Sequence, residues 1–334
     1  MPIKPPHRWF ECRTSCFARC SMRRGEDAMR ISSRTFLDTP VADMTTLQAN
    51  VDRTQREVAT GIRADAALPG NAVRLDALDA ANIRLARYAA NAAGVRDRLN
   101  SCESVASDAA DVVQRARELA LQAANGSLDA ASRTTIAIEL RGLREQLLAV
   151  GNRTDSRGEY LLAGSRSWAP PFVDRTGTVQ YDGDTTLRSI DVLPGRAVID
   201  SLHGAQWAEV VTATGSVDVF AVLDGLATSL DSVAAGALDE RDFQRSIAAS
   251  IDSLSAGVDH FATLRATIGS RIAALDVCDT TRDDLKLAVT QQTSALRDVD
   301  LAAAISRLQG QLAGLQAARQ SYAQLSKLGL FEYL

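Results

Sequence analysis

Apolar residues recur at steps of three and four near both ends of the chain, the spacing that places side chains on one face of a helix. The C-terminal stripe lies between Asp298 and Leu334, and the N-terminal stripe lies between Phe36 and Ala59. An isolated helix of this kind gains most of its stability from packing, so each stripe needs a partner. The stripe residues that we expect to form an assembly interface are Met44, Leu47, Val51, Val58, Leu301, Ile305, Leu308, Leu312, Leu315, Tyr322, Leu325 and Phe331.

Two arrangements satisfy these stripes. The simpler one pairs the two ends of the chain and carries everything between them as a large insertion. In the other, two unrelated amphipathic helices pack on one globular core. Periodicity alone leaves both open.

Between the ends, four further helical stretches are predicted. A three-four alternation from about Val73 to Ala124 indicates one helix of some fifty residues, roughly 75 Å long at 1.5 Å per residue. Asn125-Gly126 ends it, and Ser127 or Asp129 can cap the next helix, which runs to Val150. Helix is predicted again after two more N-cap candidates, Asp218 and Asp239, the second opening a long helix that continues towards Asp298.

The stretch from 166 to 215 has a different character. Trp168 and the Pro170-Pro171 pair argue against helix, while Tyr181–Asp184 is predicted as a hairpin turn and Pro194-Gly195 as a second turn. Strands are predicted over Leu187–Val192 and Arg196–Asp200. We interpret this stretch as a small β insertion.

These elements predict a mainly α protein with a small β insertion. Its architecture would be an elongated antiparallel helical bundle or coiled coil with paired N- and C-terminal helices. The expected domains are an extension at 1–28, a terminal coiled coil at 29–72 with 290–334, a helical rod at 73–165 with 216–289, and the β insertion at 166–215.

Composition and charge limit the classes of partner and function that are expected. The 334 residues carry a net charge of −4 with 5% aromatic residues, which predicts neither nucleic-acid nor membrane partners. No apolar run approaches the roughly 20 residues that span a bilayer. The first 28 residues look foreign to the rest, and Met29 reads as the native start. The spacing of Cys12, Cys16 and Cys20 matches no standard metal site.

Few residues suggest a catalytic or metal-binding site. The histidines are His7, His203 and His260, and none stands at a recognisable spacing from a nucleophile. Asp298 and Asp300 suggest a cation site, but a helix start that favours acidic side chains explains them more simply. The sequence therefore predicts no enzyme, no cofactor and no metal site, and places the functional content in the apolar stripes.

Four segments resemble the flagellin superfamily, and the bacterial flagellar hook-associated protein 3 family in particular. The start at Met29-Arg30-Ile31-Ser32 is similar to the family's start, and Glu118–Gly126 resembles a signature shared with flagellins. Gly158–Gly164 resembles the hook–filament junction proteins specifically, and the ends of the C-terminal stripe, Asp298–Leu301 and Leu328–Leu334, resemble their C-terminus.

One segment departs from the family pattern. Where the family has Ser-Asp-Asp-Pro, this chain has Asp65–Gly70 with the acidic pair lost, which puts any contact made by that pair in doubt.

The resemblance implies a secreted structural protein of the extracellular flagellum, involved in motility. It would leave the cell through the flagellar type III export apparatus with an export chaperone. It would then form a ring of like subunits between hook-associated protein 1 and the flagellin filament. A charge at Ile305, Leu308 or Leu312 is expected to block assembly more than it harms the middle of the chain, so normal assembly of Leu308→Asp would contradict the interface.

Three other hypotheses about the function of the chain stay open. The nearest is flagellin itself, the filament subunit, against which Tyr160–Gly164 and Phe331–Leu334 argue. The second is a cytoplasmic coiled-coil scaffold, which would have no need of a β insertion or of export. The third is an enzyme, which would rest only on the N-terminal cysteines.

Overall fold

The computed structural model describes residues 33–212 and 215–331, with side chains described over 38–212 and 215–324. The expected extension at 1–28 and the expected start at Met29 lie outside the described residues, as do 332–334. The chain divides into two compact units. The terminal unit comprises the chain up to Ala64 and from Val299, and the central unit comprises Asp65–Asp298.

The terminal unit pairs the two ends of the chain. Helix α1 (Ser33–Thr60) packs against helix α7 (Leu301–Phe331). The carboxylate of Asp300 accepts a hydrogen bond of 3.2 Å from the amide of Ala303, so this acidic residue caps the start of α7. The predicted pairing of N- and C-terminal helices is therefore confirmed.

The central unit is built on four helices. They are α2 (Pro69–Ala123), α3 (Ala130–Gly151), α5 (Val219–Ala234) and α6 (Glu240–Arg297). Asp129, Asp218 and Asp239 cap the last three of these helices, each accepting backbone amides of the first turn. The predicted helices and their caps are confirmed, with Asp129 rather than Ser127 as the cap of α3.

Helices α2 and α6 pack together as the spine of the central unit. Arg96 of α2 pairs with Asp276 and Asp279 of α6 at 2.7 and 2.6 Å, while Glu103 of α2 pairs with Arg265 at 2.9 Å. Residue numbers rise on one helix as they fall on the other, so the two helices run antiparallel. Their facing apolar side chains are fully buried and include Val95, Leu99, Cys102, Ala106, Phe261, Ile268 and Leu275.

The β insertion consists of three separate antiparallel hairpins. They are β1 (Phe172–Arg175) with β2 (Thr178–Tyr181), β3 (Ser189–Leu193) with β4 (Arg196–Ile199), and β5 (Glu209–Thr212) with β6 (Gly215–Asp218). The predicted β3–β4 pair is confirmed with shifts of one or two residues, and Gly195 makes its turn with φ +72°.

The predicted hairpin turn at Tyr181–Asp184 was wrong. The turn of the first hairpin is Thr176-Gly177, where both residues have positive φ. Strand pairing instead continues through Tyr181, and the amide of Asp182 still donates to the carbonyl of Pro171 at 2.8 Å. The Asp184 carboxylate accepts from Thr186 N and Ser165 Oγ and makes a local turn after the strand. The Asp182-Gly183 pair does mark a turn, but this turn follows β2 and does not join the two strands of a hairpin.

Two elements carried no sequence prediction. The short helix α4 (Gly204–Ala208) and the β5–β6 hairpin precede α5. Helix α4 carries the fully buried Trp207, whose ring lies 5.4 Å from those of Phe172 and Phe261. These aromatic contacts fix the insertion to α6.

The domain boundaries expected from the sequence stay a proposal. Positions 72 and 290 fall within α2 and α6, whereas the compact units divide after Ala64 and before Val299.

Candidate assembly interface

Three polar contacts set the register of α1 against α7. Arg319 Nη2 donates to Gln48 Oε1 at 3.1 Å, and Arg307 lies 3.5 Å from the Glu57 carboxylate. Just after the end of α1 and just before the start of α7, the amide of Val299 donates to the carbonyl of Gly61 at 3.0 Å. The two helices therefore run antiparallel, and each residue of α1 has a fixed partner position on α7.

We call the side chains between these two helices the seam. On α1 it contains every predicted interface position: Val51 is buried, and Met44, Leu47 and Val58 are half-buried. Thr54 continues the same row and is also buried. On α7 the seam contains Ala304, Leu308, Gln311, Leu315, Ala318 and Tyr322. These steps of four and three are those of a heptad repeat.

Three of the expected interface residues lie outside the seam. Leu301, Ile305 and Leu312 expose 49%, 44% and 38% of their surface. At 100° per residue they lie within about 40° of one another around the helix, so they form one row. We call this row the outer strip. The expected residues thus divide into an inner set in the seam and an outer set beside it that is more exposed.

Residues Leu325 and Phe331 belong to α7, and their side chains lie outside those that the structure describes. Their expected interface role stays a prediction.

Sequence reasoning missed two residues of the α7 seam. Ala304 is fully buried and Gln311 carries a buried amide oxygen, yet neither belongs to the leucine-rich row from which the interface was predicted. The available signal was the heptad spacing of Leu308 and Leu315, because Ala304 and Gln311 continue that spacing at steps of four and three. These two residues share the seam with Leu308, Leu315 and Tyr322, while Leu301, Ile305 and Leu312 remain more exposed.

Two features are absent from the described part of the chain. No group of three or more His, Cys, Asp or Glu side chains there could hold a metal ion. No helix of the described residues combines the length and apolar character needed to cross a membrane.

Known proteins resemble this chain over most of its length. The model of the bacterial flagellin N-terminal helical region matches residues 40–167. Flagellar hook-associated protein 3 of Escherichia coli (strain K12) is 28% identical over 317 residues, which cover 91% of this chain and 99% of that protein. This chain is similar to flagellar hook-associated protein 3 over nearly all of that protein's length.

A solved structure shows the same fold. A putative flagellar hook-associated protein from Vibrio parahaemolyticus superposes with a TM-score of 0.63 at 21% identity, covering 70% of this chain and all of that one. The mainly α fold class predicted from the sequence is confirmed.

Flagellin itself is a partial match. Flagellin A of Vibrio cholerae is 28% identical over 137 residues, which cover 40% of this chain and 36% of that protein. The relatives that match throughout are flagellar hook-associated proteins, which are structural proteins of the flagellum. The structural flagellar role predicted from the sequence is confirmed.

Proposed function

We propose that this chain is the subunit that joins hook-associated protein 1 to the flagellin filament. Several copies would form a ring at that junction, outside the cell, and the chain would perform no catalysis. Likeness to hook-associated protein 3 over nearly the full length supports the junction role. The partial match to flagellin argues against a filament subunit.

The outer strip is the observation that carries self-assembly. Three large aliphatic side chains in one row on α7 keep between 38% and 49% of their surface exposed, whereas Ala304 and Leu315 of the same helix are buried. Covering apolar surface stabilises a complex by about 25 cal/mol per Å². A second copy of this chain presents the same strip, so ring formation would bury it repeatedly.

Secretion belongs to the same proposal. The chain would pass through the flagellar type III export apparatus after release from an export chaperone. The terminal unit supports this route, because helices that gain part of their burial only from neighbours are weakly folded as monomers.

Deleting the gene tests the junction role. A strain that makes flagellin but lacks the junction should release flagellin monomers into the medium and carry hooks without filaments. Immunoblots of the cell-free medium and of sheared flagella measure both. Complementation with the wild-type gene should return flagellin to the sheared fraction and place this chain there too.

Two results would contradict the proposal. Normal filaments in the deletion strain would exclude a junction role. A deletion strain that makes no flagellin at all, inside or outside the cell, would instead identify this chain as the filament subunit.

A further inference from the structure

Helix α7 contains two glycines whose small size serves no packing contact within the described part of the chain. Gly310 and Gly314 are exposed, and a Cβ atom at either position would meet nothing within 4 Å among the described residues. Glycine inside a helix is destabilising relative to alanine, and its usual benefit is that another backbone or a ligand can approach closely. That benefit would here come from contact with another molecule.

The two glycines lie on the side of α7 opposite the outer strip. Each is two residues away from Leu312 and therefore lies about 160° around the helix from it. Ala303 and Ser321 continue the glycine row at steps of seven, and both are exposed. We call Ala303, Gly310, Gly314 and Ser321 the opposite flank.

Two contacts with α1 show that the seam separates the strip from the flank. Arg319, one heptad after Leu312 of the strip, donates to Gln48. Arg307, one heptad before Gly314 of the flank, pairs with Glu57. The outer strip and the opposite flank therefore lie on different sides of the α1–α7 pair, one with large aliphatic side chains and the other with almost none.

The spacing of the two rows is the same. Ile305 and Leu312 of the strip are seven residues apart, as are Ala303 and Gly310 of the flank. In a ring whose axis runs along α7, equivalent residues of neighbouring copies lie at one height. Leu312 of one copy then lies level with the space between Gly310 and Gly314 of the next.

Charge on the two sides is compatible with this arrangement. Exposed Asp43 precedes Glu57 by fourteen residues and therefore lies on the flank's side of α1, and the register with α7 puts it near the height of Ser321. Arg319 of the neighbouring copy would arrive at that height. On the strip's side, Asp52 accepts from Gln48 at 3.0 Å and would meet a flank that carries no charge.

Two copies could also place their outer strips face to face. Such an isologous contact closes after two copies and leaves no strip for a third copy, so it forms no ring. A contact between unlike faces is heterologous and repeats around a ring. Only the heterologous contact gives Gly310 and Gly314 a role.

We propose that the outer strip of one copy packs against the opposite flank of α7 in the next copy. This inference rests on the proposed ring of like subunits and names the two faces that meet at each boundary. Leu312 occupies the space beside Gly310 and Gly314, and the small flank lets the two helices approach closely.

Disulfide trapping in sheared flagella tests which faces meet. A strain that lacks the gene makes two full-length chains together, one with Leu312→Cys and the other with Gly314→Cys. Both chains carry serine in place of the N-terminal cysteines, and the remaining thiols are fully buried. After mild oxidation, peptide mass spectrometry measures the mixed 312–314 disulfide and the symmetric 312–312 and 314–314 disulfides.

The mixed disulfide should exceed each symmetric one by about tenfold. Equivalent positions of neighbouring packed helices lie about 8–10 Å apart, beyond the roughly 7 Å between Cα atoms that a disulfide can span. Random encounter would instead give the mixed disulfide only a twofold statistical excess.

An exchange of side-chain size gives an independent test. Gly314→Leu fills the flank and should block assembly, so that flagellin appears in the medium, while the purified chain keeps or raises its urea midpoint because leucine favours helix. Adding Leu312→Ala empties the facing position and should return filaments. Ala313→Leu places the same side chain midway between strip and flank, at an exposed position, and should keep filaments.

The outcomes separate this inference from the junction role. If the 312–312 disulfide equals or exceeds the mixed one, the strips face each other and the heterologous contact is wrong, although the chain remains a flagellar subunit. Normal filaments with Gly314→Leu, or none after Leu312→Ala is added to it, would overturn the contact in the same way. Absence of the chain from sheared flagella would overturn the junction role and this inference with it.

Discussion

At the scale of single residues, close packing leaves some positions no room for one added methyl group. A Cβ atom on Gly151 would lie 2.9 Å from the Phe172 ring and 3.2 Å from the Trp207 ring. Neither ring can move away, because Phe172 and Trp207 are buried and stack on each other and on Phe220. The glycine therefore permits the close approach of α3 to the aromatic cluster.

We predict that Gly151→Ala destabilises the central unit by about 1–3 kcal/mol, the usual cost of overpacking a core. Urea denaturation followed by circular dichroism measures it. Gly142→Ala is the matched control, because nothing lies within 4 Å of a Cβ there and the position is an exposed site of the same helix. It should stabilise by about 0.5–1 kcal/mol. Equal effects from both substitutions would contradict the packing argument.

A buried carboxylate gives the central unit an acid-sensitive anchor. Asp155 lies 2.7 Å from Nη1 of Arg98 and accepts the amides of Arg157 and Glu159. Burial alone would raise the pKa of Asp155, but these amides and the Arg98 guanidinium outweigh it and hold the pKa below its ordinary value. A carboxyl with a lower pKa in the folded state stabilises that state only while it is ionised.

The central unit should therefore lose stability as the pH falls from about 4 towards the lowered pKa of Asp155, the stabilisation being complete above the unfolded value of about 3.9. Asp155→Asn should be less stable at pH 7 and show a flatter acid limb in urea midpoints measured from pH 7 to pH 3. The exposed Asp97→Asn is the control and should keep the wild-type limb. If the urea midpoint of Asp155→Asn fell with pH as steeply as that of the wild type, the acid sensitivity would belong to other groups.

At the scale of elements, one arginine joins three parts of the central unit. Arg144 of α3 is buried and pairs at 2.8 Å with Asp174 of β1 and with Asp224 of α5. Its Nη2 also donates to the carbonyl of Gly177 in the hairpin turn at 3.2 Å. A guanidinium can serve three acceptors in fixed directions, which a lysine ammonium cannot reproduce.

We predict that Arg144→Met releases the β1–β2 hairpin and costs roughly 2–3 kcal/mol, less than the 3–5 kcal/mol of a fully buried pair because both carboxylates are partly exposed. Hydrogen exchange of the β1–β2 amides should quicken, while amides of β3–β4 keep their protection. Arg141→Met removes the exposed pair with Asp231 on the same helix and should change little. Uniform loss of protection across all three hairpins would refute a local role.

Element boundaries followed from the sequence where local chemistry decides them. The N-caps Asp129, Asp218 and Asp239 and the glycine turn at Gly195 act within a few residues, so their signals are complete in the sequence. The first hairpin was missed because its turn contains Thr176, at φ +55°, where a turn normally favours Gly, Asn or Asp. The Thr176 hydroxyl donates to the adjacent carbonyl of Arg175, and the neighbouring Gly177 carbonyl accepts a hydrogen bond from Arg144.

Which residues of α7 pack against α1 could not be predicted from the sequence, for a different reason. Periodicity shows which side chains gain from burial, and the row through Leu301, Ile305 and Leu312 gains most. It does not show which neighbour provides the burial. The pairing with α1 depends on long-range contacts such as Val299 with Gly61, for which the stripe carries no signal. A helix with two usable rows is ambiguous until its partners are known.

At the scale of the whole molecule, the seam row of α7 contributes to folding of the single chain, and the outer strip is the row proposed for assembly. Leu308 is half-buried in the seam, so a charge there would disturb the pairing with α1 as well as any contact between copies. Ile305 exposes 44% of its surface and lies in the outer strip. Substitution at Ile305 therefore probes contact between copies with little effect on the single chain.

We predict that Ile305→Asp abolishes assembly while leaving the folded chain intact, because burying an unpaired carboxylate in an apolar contact costs several kcal/mol. Complemented deletion cells should release flagellin to the medium as the deletion strain does, while the purified variant keeps the wild-type circular dichroism spectrum and urea midpoint. Ser306→Asp adds the same charge at the adjacent exposed residue, outside the strip, and should restore filaments. If Ile305→Asp also restores filaments, the outer strip is not an interface, and if Ser306→Asp fails as well, charge anywhere on this part of α7 is the cause.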